Sequence, residues 1–439
     1  MKVHSLPADD ASCGWFHLSA PRTPRPSHRG HSEAPWVVVG AGFTGLAAAR
    51  QLALNFPNDE VVLVEAQEVG LGPSGRNAGF AIDLPHDIGA PDYIGDIAVA
   101  KIVLKLNLAG QTLLRQQVEA NGIDCQMTAC GKYQAAVEER GLAVLDAYRG
   151  GLDKLEQPYQ MLGEQELPQH LGTHFYRRAL YTPGAVLVQP SALVKGLADS
   201  LPANVTLYER TPILDVDYGY DRTRLTHAGG SITAHRLVLA NNSFGQHFGF
   251  LQGRMLPIFT YGSITRPLTE EEQARLGGKP YWGAIPADPF GTTVRRTPDH
   301  RLLIRNSFSF NPDGRSNPKY LQRFLQRHKA SFARRFPMLP NVDFQYTWGG
   351  ALAMTRNHSG FFGQLAPNVY GALGCNGLGV TRGTITGALL ADWLAGQSND
   401  LTDFLLASPG PNANPPQPFL SAGVNLNLMW GQRRAGRES

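Results

Sequence analysis

Trp36-Val37-Val38-Val39-Gly40-Ala41-Gly42-Phe43-Thr44-Gly45 is the stretch that decides the architecture of this 439-residue chain. Four apolar residues run into a GxGxxG, and Leu46–Ala53 continues with good helix formers. A second apolar run, Val61–Val64, ends at Glu65. The pattern is strand, glycine turn, helix, strand and acid, which predicts an α/β fold opening on a dinucleotide-binding unit. Gly40 allows the tight turn, Gly42 lets backbone approach a pyrophosphate, and Gly45 lets helix lie close on strand. Ala41, Phe43 and Thr44 complete the loop, whose helix N-terminus presents unpaired N–H groups and partial positive charge to phosphates. Glu65, followed by Ala66, is placed to accept a ribose hydroxyl.

Gly70-Leu71-Gly72-Pro73-Ser74-Gly75-Arg76-Asn77-Ala78-Gly79-Phe80 follows as a second glycine-rich loop. A nicotinamide domain does not need one; a flavin domain does, because the longer cofactor continues towards a buried ring. With this SGRN loop the chain resembles the D-amino-acid-oxidase superfamily of FAD enzymes, nearest to its gamma-glutamylputrescine oxidoreductase and L-pipecolate oxidase branch. The resemblance implies a Rossmann-like FAD domain of glutathione-reductase type with an interposed mixed or antiparallel-sheet substrate domain. It implies FAD, held non-covalently, with Gly72, Ser74, Gly75, Arg76, Asn77 and Ala78 along the pyrophosphate and flavin. It also implies Ile213 near the adenine, and Ala240 and Asn241 at the end of a strand beside the cofactor.

The C-terminal part carries the same resemblance. Tyr346-Thr347-Trp348-Gly349-Gly350 reads as a strand, and Gly360–Gly363 as a glycine turn. Gly371–Thr381 is a glycine-rich loop, including Gly374, Cys375, Asn376, Gly377, Leu378, Gly379 and Val380, that leads into a helix over Thr384–Leu394. A helix N-terminus facing a reduced flavin stabilises the negative charge gained there. The resemblance therefore adds Gly350, Gly374 and Asn376 to Thr381 to the cofactor set. Leu378 stands where the nearer branch carries histidine, which leaves the substrate open.

Elsewhere, apolar spacing predicts helices over Leu104–Ala120, Leu142–Leu162 and Pro190–Leu201, and a strand over Lys132–Val137. Val205–Tyr208, Thr211–Val216, Leu237–Ala240 and Met255–Thr265 read as strands, Thr292–Arg296 with Leu302–Asn306 as a hairpin. Pro318–Arg335 reads as a basic amphipathic helix with Leu321, Phe324, Leu325 and Phe332 inward. The expected division is an arm over 1–33, a discontinuous FAD domain over 34–95, 190–254 and 345–405, a substrate domain over 96–189 and 255–344, and a tail over 406–439. Within the tail, Phe419–Leu428 is a segment able to fold back over the pocket.

Flavin oxidation of a C–N bond asks the protein to orient a carbon and to stabilise reduced flavin, so no triad is expected. Amino-acid oxidases of this kind hold the substrate carboxylate with arginines after the WxG strand and in the final loop. Here those places read Ala351-Leu352-Ala353-Met354 and Gly377-Leu378. An amine without α-carboxylate, of the polyamine or gamma-glutamyl type, is the expected substrate, with oxygen or a quinone as acceptor and hydrolysis of the resulting imine. Arg305, Arg295, Arg356 and Arg382 remain alternative carboxylate partners, which keeps L-pipecolate as the second reading. An FAD-dependent tRNA-modifying enzyme and a non-catalytic flavoprotein subunit are the readings from other classes. Tyr261 and Trp348 are the preferred pocket walls, ahead of Phe80, Trp282 and Phe361, and Arg305 the preferred polar group. His86 reads as a satisfied histidine before a substrate-side group, and Cys375 is a minor candidate for covalent flavin attachment.

Hydrophobic content of 42% with 17% charged residues suits a globular enzyme of two or three domains. The net charge of +4, 40 basic less 36 acidic residues, is too small to argue for nucleic acid. The basic excess sits partly at the ends, at Arg22, Arg25 and Arg29 and at Arg433, Arg434 and Arg437. Four cysteines without a CxxC, no run of 18 apolar residues and no apolar leader make a cytoplasmic location, without a membrane span, the expectation. No metal-spaced histidine cluster is present, and oligomeric state is not legible.

Overall fold

In the computed structural model, which describes residues 1–8 and 10–439, Gly30–Val39 is the central strand of the first sheet. Val61–Val64 and then Val205–Tyr208 lie on one side of it, Gly230–Leu239 and then Val369–Leu373 on the other, all parallel. Phe361–Ala366 closes that end antiparallel. Trp36, Val37 and Val38 are fully buried, as strands covered on both faces must be. The second sheet has eight strands in the order Phe344–Thr355, Met255–Thr265, Leu302–Phe310, Thr293–Arg296, Trp282–Pro286, Lys132–Ala136, Arg178–Thr182, Gln160–Gly163. Only the Trp282–Pro286 to Lys132–Ala136 pairing is parallel. The fold is mixed α/β.

Three helices stack over the glycine loop. Phe43–Asn55 packs on the first sheet, and Thr384–Leu394 packs on Phe43–Asn55. The contact is close because a Cβ on Gly387 would lie 2.2 Å from the Thr44 carbonyl oxygen. Ile97–Ala120 packs in turn on Thr384–Leu394, where a Cβ on Gly110 would lie 2.5 Å from the Thr381 carbonyl. Asp96 caps Ile97–Ala120 by accepting from the Val99 amide. By length and composition this is the one helix among the described residues able to cross a membrane, and a third of its most apolar window is buried in the protein.

Several expectations need correction. The helix expected over Leu142–Leu162 ends at Lys154, and Gln160–Gly163 is an edge strand. Pro158 and Glu156, with φ of +57°, break the periodicity that the apolar spacing suggested. Thr211–Leu214 is not strand: the Arg210 and Thr211 amides donate to the Gln67 and Glu65 carbonyls, so this segment crosses the end of the Val61–Val64 strand. A boundary at 345 cuts the Phe344–Thr355 strand, which belongs to the second sheet. On Pro318–Arg335 the inward stripe includes His328, Ser331 and Arg335 beside Phe324 and Phe332, while Leu321 and Leu325 are half-buried. The tail helix Phe419–Arg434 does not cover the nucleotide side. It lies on the second sheet, where Gly431 meets Phe290 and the Glu438 carboxylate accepts from the Val137 and Glu138 amides.

The arm is built in, not merely laid on the surface. Trp15 of the short helix Gly14–Leu18 is 1% exposed, and its indole donates to the Asn77 carbonyl at 2.9 Å. Arg22 pairs with the fully buried Glu209 at 2.6 Å. Replacing Gly387 by valine is expected to force Thr384–Leu394 off Phe43–Asn55 and destabilise the protein by about 2 kcal/mol or more; urea unfolding of Gly387→Val and Gly387→Ala against the unaltered protein measures it.

Candidate functional site

A cleft of about 990 Å³, part of it open to solvent, lies at the C-terminal ends of the central parallel strands, the place where open α/β sheets bind ligands. Gly40, Ala41, Gly42, Glu65, Ala66, Gly72, Ser74, Ile213, Ala240 and Asn241 all line it, as expected from the sequence. Gly40 has φ of +102°, and a Cβ there would press on the Ala240 carbonyl at 2.9 Å. A Cβ on Gly45 would fall 1.7 Å from the Gly40 carbonyl oxygen, so only glycine lets this helix start so close to its strand. A Cβ on Gly42 would sit 2.7 Å from Ser74 Oγ, which already accepts from the Phe43 amide at 3.1 Å. The two glycine loops thus meet at the helix N-terminus.

The Glu65 carboxylate accepts from the Ala41 amide at 2.9 Å and the Gln67 amide at 3.0 Å. Burial raises its pKa against these bonds, with Glu209 adding to the rise. Each oxygen keeps a lone pair for a further donor. Both side-chain atoms of Asn241 are buried at the cleft wall without a hydrogen-bond partner among the described residues. Unpaired buried amides are uncommon, and these suit a ligand carrying donors and acceptors. A glycine cradle, a carboxylate and an orphaned amide along one groove fit a dinucleotide.

The remaining expected cofactor residues stand behind this wall. Gly75 lies against the Gly70 carbonyl, and Thr44 against Gly383 and Gly387. Arg76 is 4% exposed and its guanidinium donates to the Leu71, Gly349 and Asp10 carbonyls, which makes it a pin between loop, strand and arm. Asn77 bonds the Ser74 carbonyl and the Gly79 amide, and Ala78 packs by Trp15. Gly350 sits over Arg76. In the final loop Gly374, Asn376 and Gly377 all have positive φ, and Asn376 Oδ1 accepts from the Thr355 amide at 2.8 Å. Leu378 precedes a π-turn over Gly379–Gly383, in which Val380 and Thr381 are buried. Sequence reading missed the arm: Val3, Ser5, Leu6 and Pro7 also line the cleft. Among a stretch without periodicity there was no signal for it.

Tyr261 and Trp348, expected at the pocket wall, are core residues and do not line the cleft. Tyr261 is fully buried, its hydroxyl shares a hydrogen bond with Ser309, and its ring lies 4.3 Å from that of Phe324. Trp348 is covered by Trp15 and donates to the Arg76 carbonyl at 3.0 Å. Strand alternation turns Tyr261 towards the Pro318–Arg335 helix, and the arm takes up Trp348. Trp282 is likewise core. Arg295 Nη1 donates to the Ala78 and Val188 carbonyls, and its buried Nε is unpaired.

Arg305 and Arg382 differ from all of these. Both are deep enough for burial to lower their pKa, Arg305 to about 10, yet each keeps accessible surface, as do His86 and Cys375. They are neighbours: both arginines act on the His86 ring, and Cys375 acts on Arg382. Arg305 has no hydrogen-bond or ion-pair partner among the described residues, only the Phe308 ring 5.5 Å away. A β-bulge at Ser307, with φ of +61°, interrupts the pairing beside Arg305, a common device for re-aiming a side chain. Arg382 Nε is buried and unpaired, with Cys375 and Asp87 as its nearest charge partners. His86 stacks on Tyr93 at 4.6 Å with Nδ1 unpaired. Burial first, then Lys132, Arg305 and Arg382, push its pKa down to about 3, so the ring is neutral. The four cysteines are free.

A family model described as DAO, FAD dependent oxidoreductase, matches residues 35–393. The chain is 26% identical over 372 residues to the gamma-glutamylputrescine oxidoreductase of Escherichia coli, covering 84% of this chain and 85% of that one. It is 26% identical over 379 residues to a probable oxidoreductase OrdL of Haemophilus influenzae, covering 84% of each. Its fold is similar to glycine oxidase from Geobacillus kaustophilus, with a TM-score of 0.71 at 20% identity, covering 86% of this chain and 99% of that one. It is also similar to L-proline dehydrogenase from P. horikoshii, with a TM-score of 0.68 at 16% identity over 87% and 97% of the two chains. Because glutamine can accept only one of the two backbone bonds made by Glu65, Glu65→Gln is expected to weaken FAD binding by about 1.5 kcal/mol, roughly tenfold in Kd; titrating FAD into deflavinated protein measures it, and an unchanged Kd would remove Glu65 from the site.

Proposed function

The chain belongs to the FAD-dependent oxidoreductases of the DAO family, and from that premise we propose that it oxidises the C–N bond of a small amine that also carries a carboxylate, of the gamma-glutamyl-amine type. The observation that carries this reading is a pair of deeply placed guanidinium groups: Arg305, without a hydrogen-bond or ion-pair partner among the described residues, and Arg382, whose buried Nε is unpaired and on which Asp87 is the one acid acting. A buried cation without a counter-ion is costly, and a carboxylate is the partner that guanidinium geometry takes best. Free putrescine or spermidine would bring further positive charge to the same space and be repelled. Polyamines without a carboxylate, admitted by the sequence, are therefore disfavoured by charge. FAD, when bound, takes up the hydride from the carbon beside the amine. The protein's own task is to hold that carbon. His86 stays neutral at working pH and offers an unpaired ring nitrogen as a hydrogen-bonding group that does not repel an amine. The named activity of the Escherichia coli relative accords with a substrate having carboxylate and amine at opposite ends.

The second reading is a secondary amino acid such as L-pipecolate. It uses the same two arginines with the carboxylate next to the reacting carbon. Anaerobic titration of the visible flavin band separates the readings. Gamma-glutamylputrescine is expected to bleach it fast and putrescine at least a hundredfold more weakly; bleaching by L-pipecolate alone would select the second reading, and equal bleaching by putrescine would overturn the carboxylate assignment. Arg305→Met and Arg382→Met are each expected to lose about 2 kcal/mol of substrate binding, roughly thirtyfold in Kd, with FAD content unchanged.

A further inference from the structure

The helix Phe419–Arg434 leaves its outer face without a partner in the fold. Phe419, Leu426 and Trp430 are 71%, 60% and 58% exposed, and Met429 is 45% exposed. Phe419, Leu426 and Trp430 are spaced by seven and four residues, so they share one side of the helix. Gly431 and Ala435, on the opposite side, are buried against the second sheet. The inner face is therefore used for docking and the outer one is not.

The charge around this face has one sign. Arg433, Arg434 and Arg437 end the tail and are exposed. The neighbouring helix Pro318–Arg335 exposes Lys319, Arg323, Arg327, Lys329 and Arg334. The two elements touch: Arg327 Nη1 donates to Gln432 Oε1 at 3.3 Å, and Arg334 Nη2 to the Ser439 carbonyl at 2.7 Å. No Asp or Glu occurs in residues 318–335 or 408–437. Among the described residues, Lys329 is the one exposed cation of the group within ion-pair range of an acid, Asp343 at 3.4 Å. Partial burial and then like charge act on two of them: Arg323 lowers the Arg327 pKa, and Arg335 and Arg437 lower that of Arg334. Positive charge is thus concentrated on one surface of a chain whose net charge is only +4.

We propose that this surface docks on an anionic phospholipid bilayer, with Phe419, Leu426, Met429 and Trp430 entering the headgroup boundary and the arginines and lysines of the two helices lying over lipid phosphates. Charge complementarity chooses the partner: a surface whose exposed cations far outnumber its acids is attracted to a negative membrane face. The aliphatic residues distinguish lipid from nucleic acid, because Leu426 and Met429 gain nothing from a phosphate backbone but do gain from acyl chains. Trp430 has an aromatic body and a polar edge suited to the interface, and the Arg434 guanidinium lies 4.2 Å from its ring. This is peripheral attachment and needs no spanning helix.

The test is co-sedimentation of the flavin-loaded full chain with vesicles of phosphatidylcholine alone or mixed with phosphatidylglycerol. Binding to the mixed vesicles is expected to be at least tenfold stronger and to fall as salt is raised. Leu426→Glu with Trp430→Glu, and separately Arg433→Glu with Arg434→Glu, are expected to abolish it while flavin content stays the same. If those variants fail to fold, the tryptophan emission of the unaltered chain is read instead: a blue shift on anionic vesicles that Trp430→Phe removes. No binding, equal binding to neutral vesicles, salt-sensitive binding to RNA or DNA without vesicle binding, or a dimer dissolved by Leu426→Glu without vesicle binding would each overturn the proposal.

Discussion

The fold turns on how closely a helix can approach its own strand and its neighbours. At Gly45 a single methyl group would collide with the Gly40 carbonyl, and at Gly387 with the Thr44 carbonyl. These contacts seat the Phe43–Asn55 helix between the first sheet and the Thr384–Leu394 helix. Its N-terminus, with its unpaired amides and positive dipole end, then opens on the cleft. Glu65, Ser74 and Asn241 come from three other segments and line the same cleft. A methyl group in either place would move the cleft as well as loosen the core.

The second sheet supplies what the first cannot. One face of it packs on the Pro318–Arg335 helix and takes Tyr261, His328 and Ile304 inward. The other face meets the arm and the nucleotide-binding part, through Trp348, Leu303 and Arg295. Arg305 lies two residues from Leu303 on the same strand, so it shares that second face. Its charge is left without a partner where both sheets converge. In a low-dielectric interior such a charge acts at its strongest on whatever anion enters.

The arm binds the two halves together. Trp15 donates to Asn77 in the second glycine loop and packs on Trp348, Arg22 satisfies the buried Glu209, and Val3 to Pro7 reach the cleft. Glu209 in turn accepts from the Val69 amide at 2.7 Å, close to the start of that loop. The start of a segment without periodicity thus becomes part of the cleft wall.

Glycine spacing, the strand runs around it and Glu65 determined the cofactor unit from the sequence alone. Each of those residues has a local reason to be where it is, a turn, a close approach or a strand end, and local reasons are legible in one dimension. The long strand Met255–Thr265 and the Pro318–Arg335 helix were legible for the same reason, since periodicity is local. The helix that stops at Lys154 was not, because a proline four residues on outweighs the apolar spacing. Which aromatic faces a cavity is decided by strand alternation together with whatever covers each face, so Tyr261 and Trp348 passed to the core only in three dimensions. That the Arg295 guanidinium reaches two carbonyls while Arg305 reaches none depends on segments distant in sequence. Pairing of buried charge is a property of tertiary contacts, and no pattern along the chain records it.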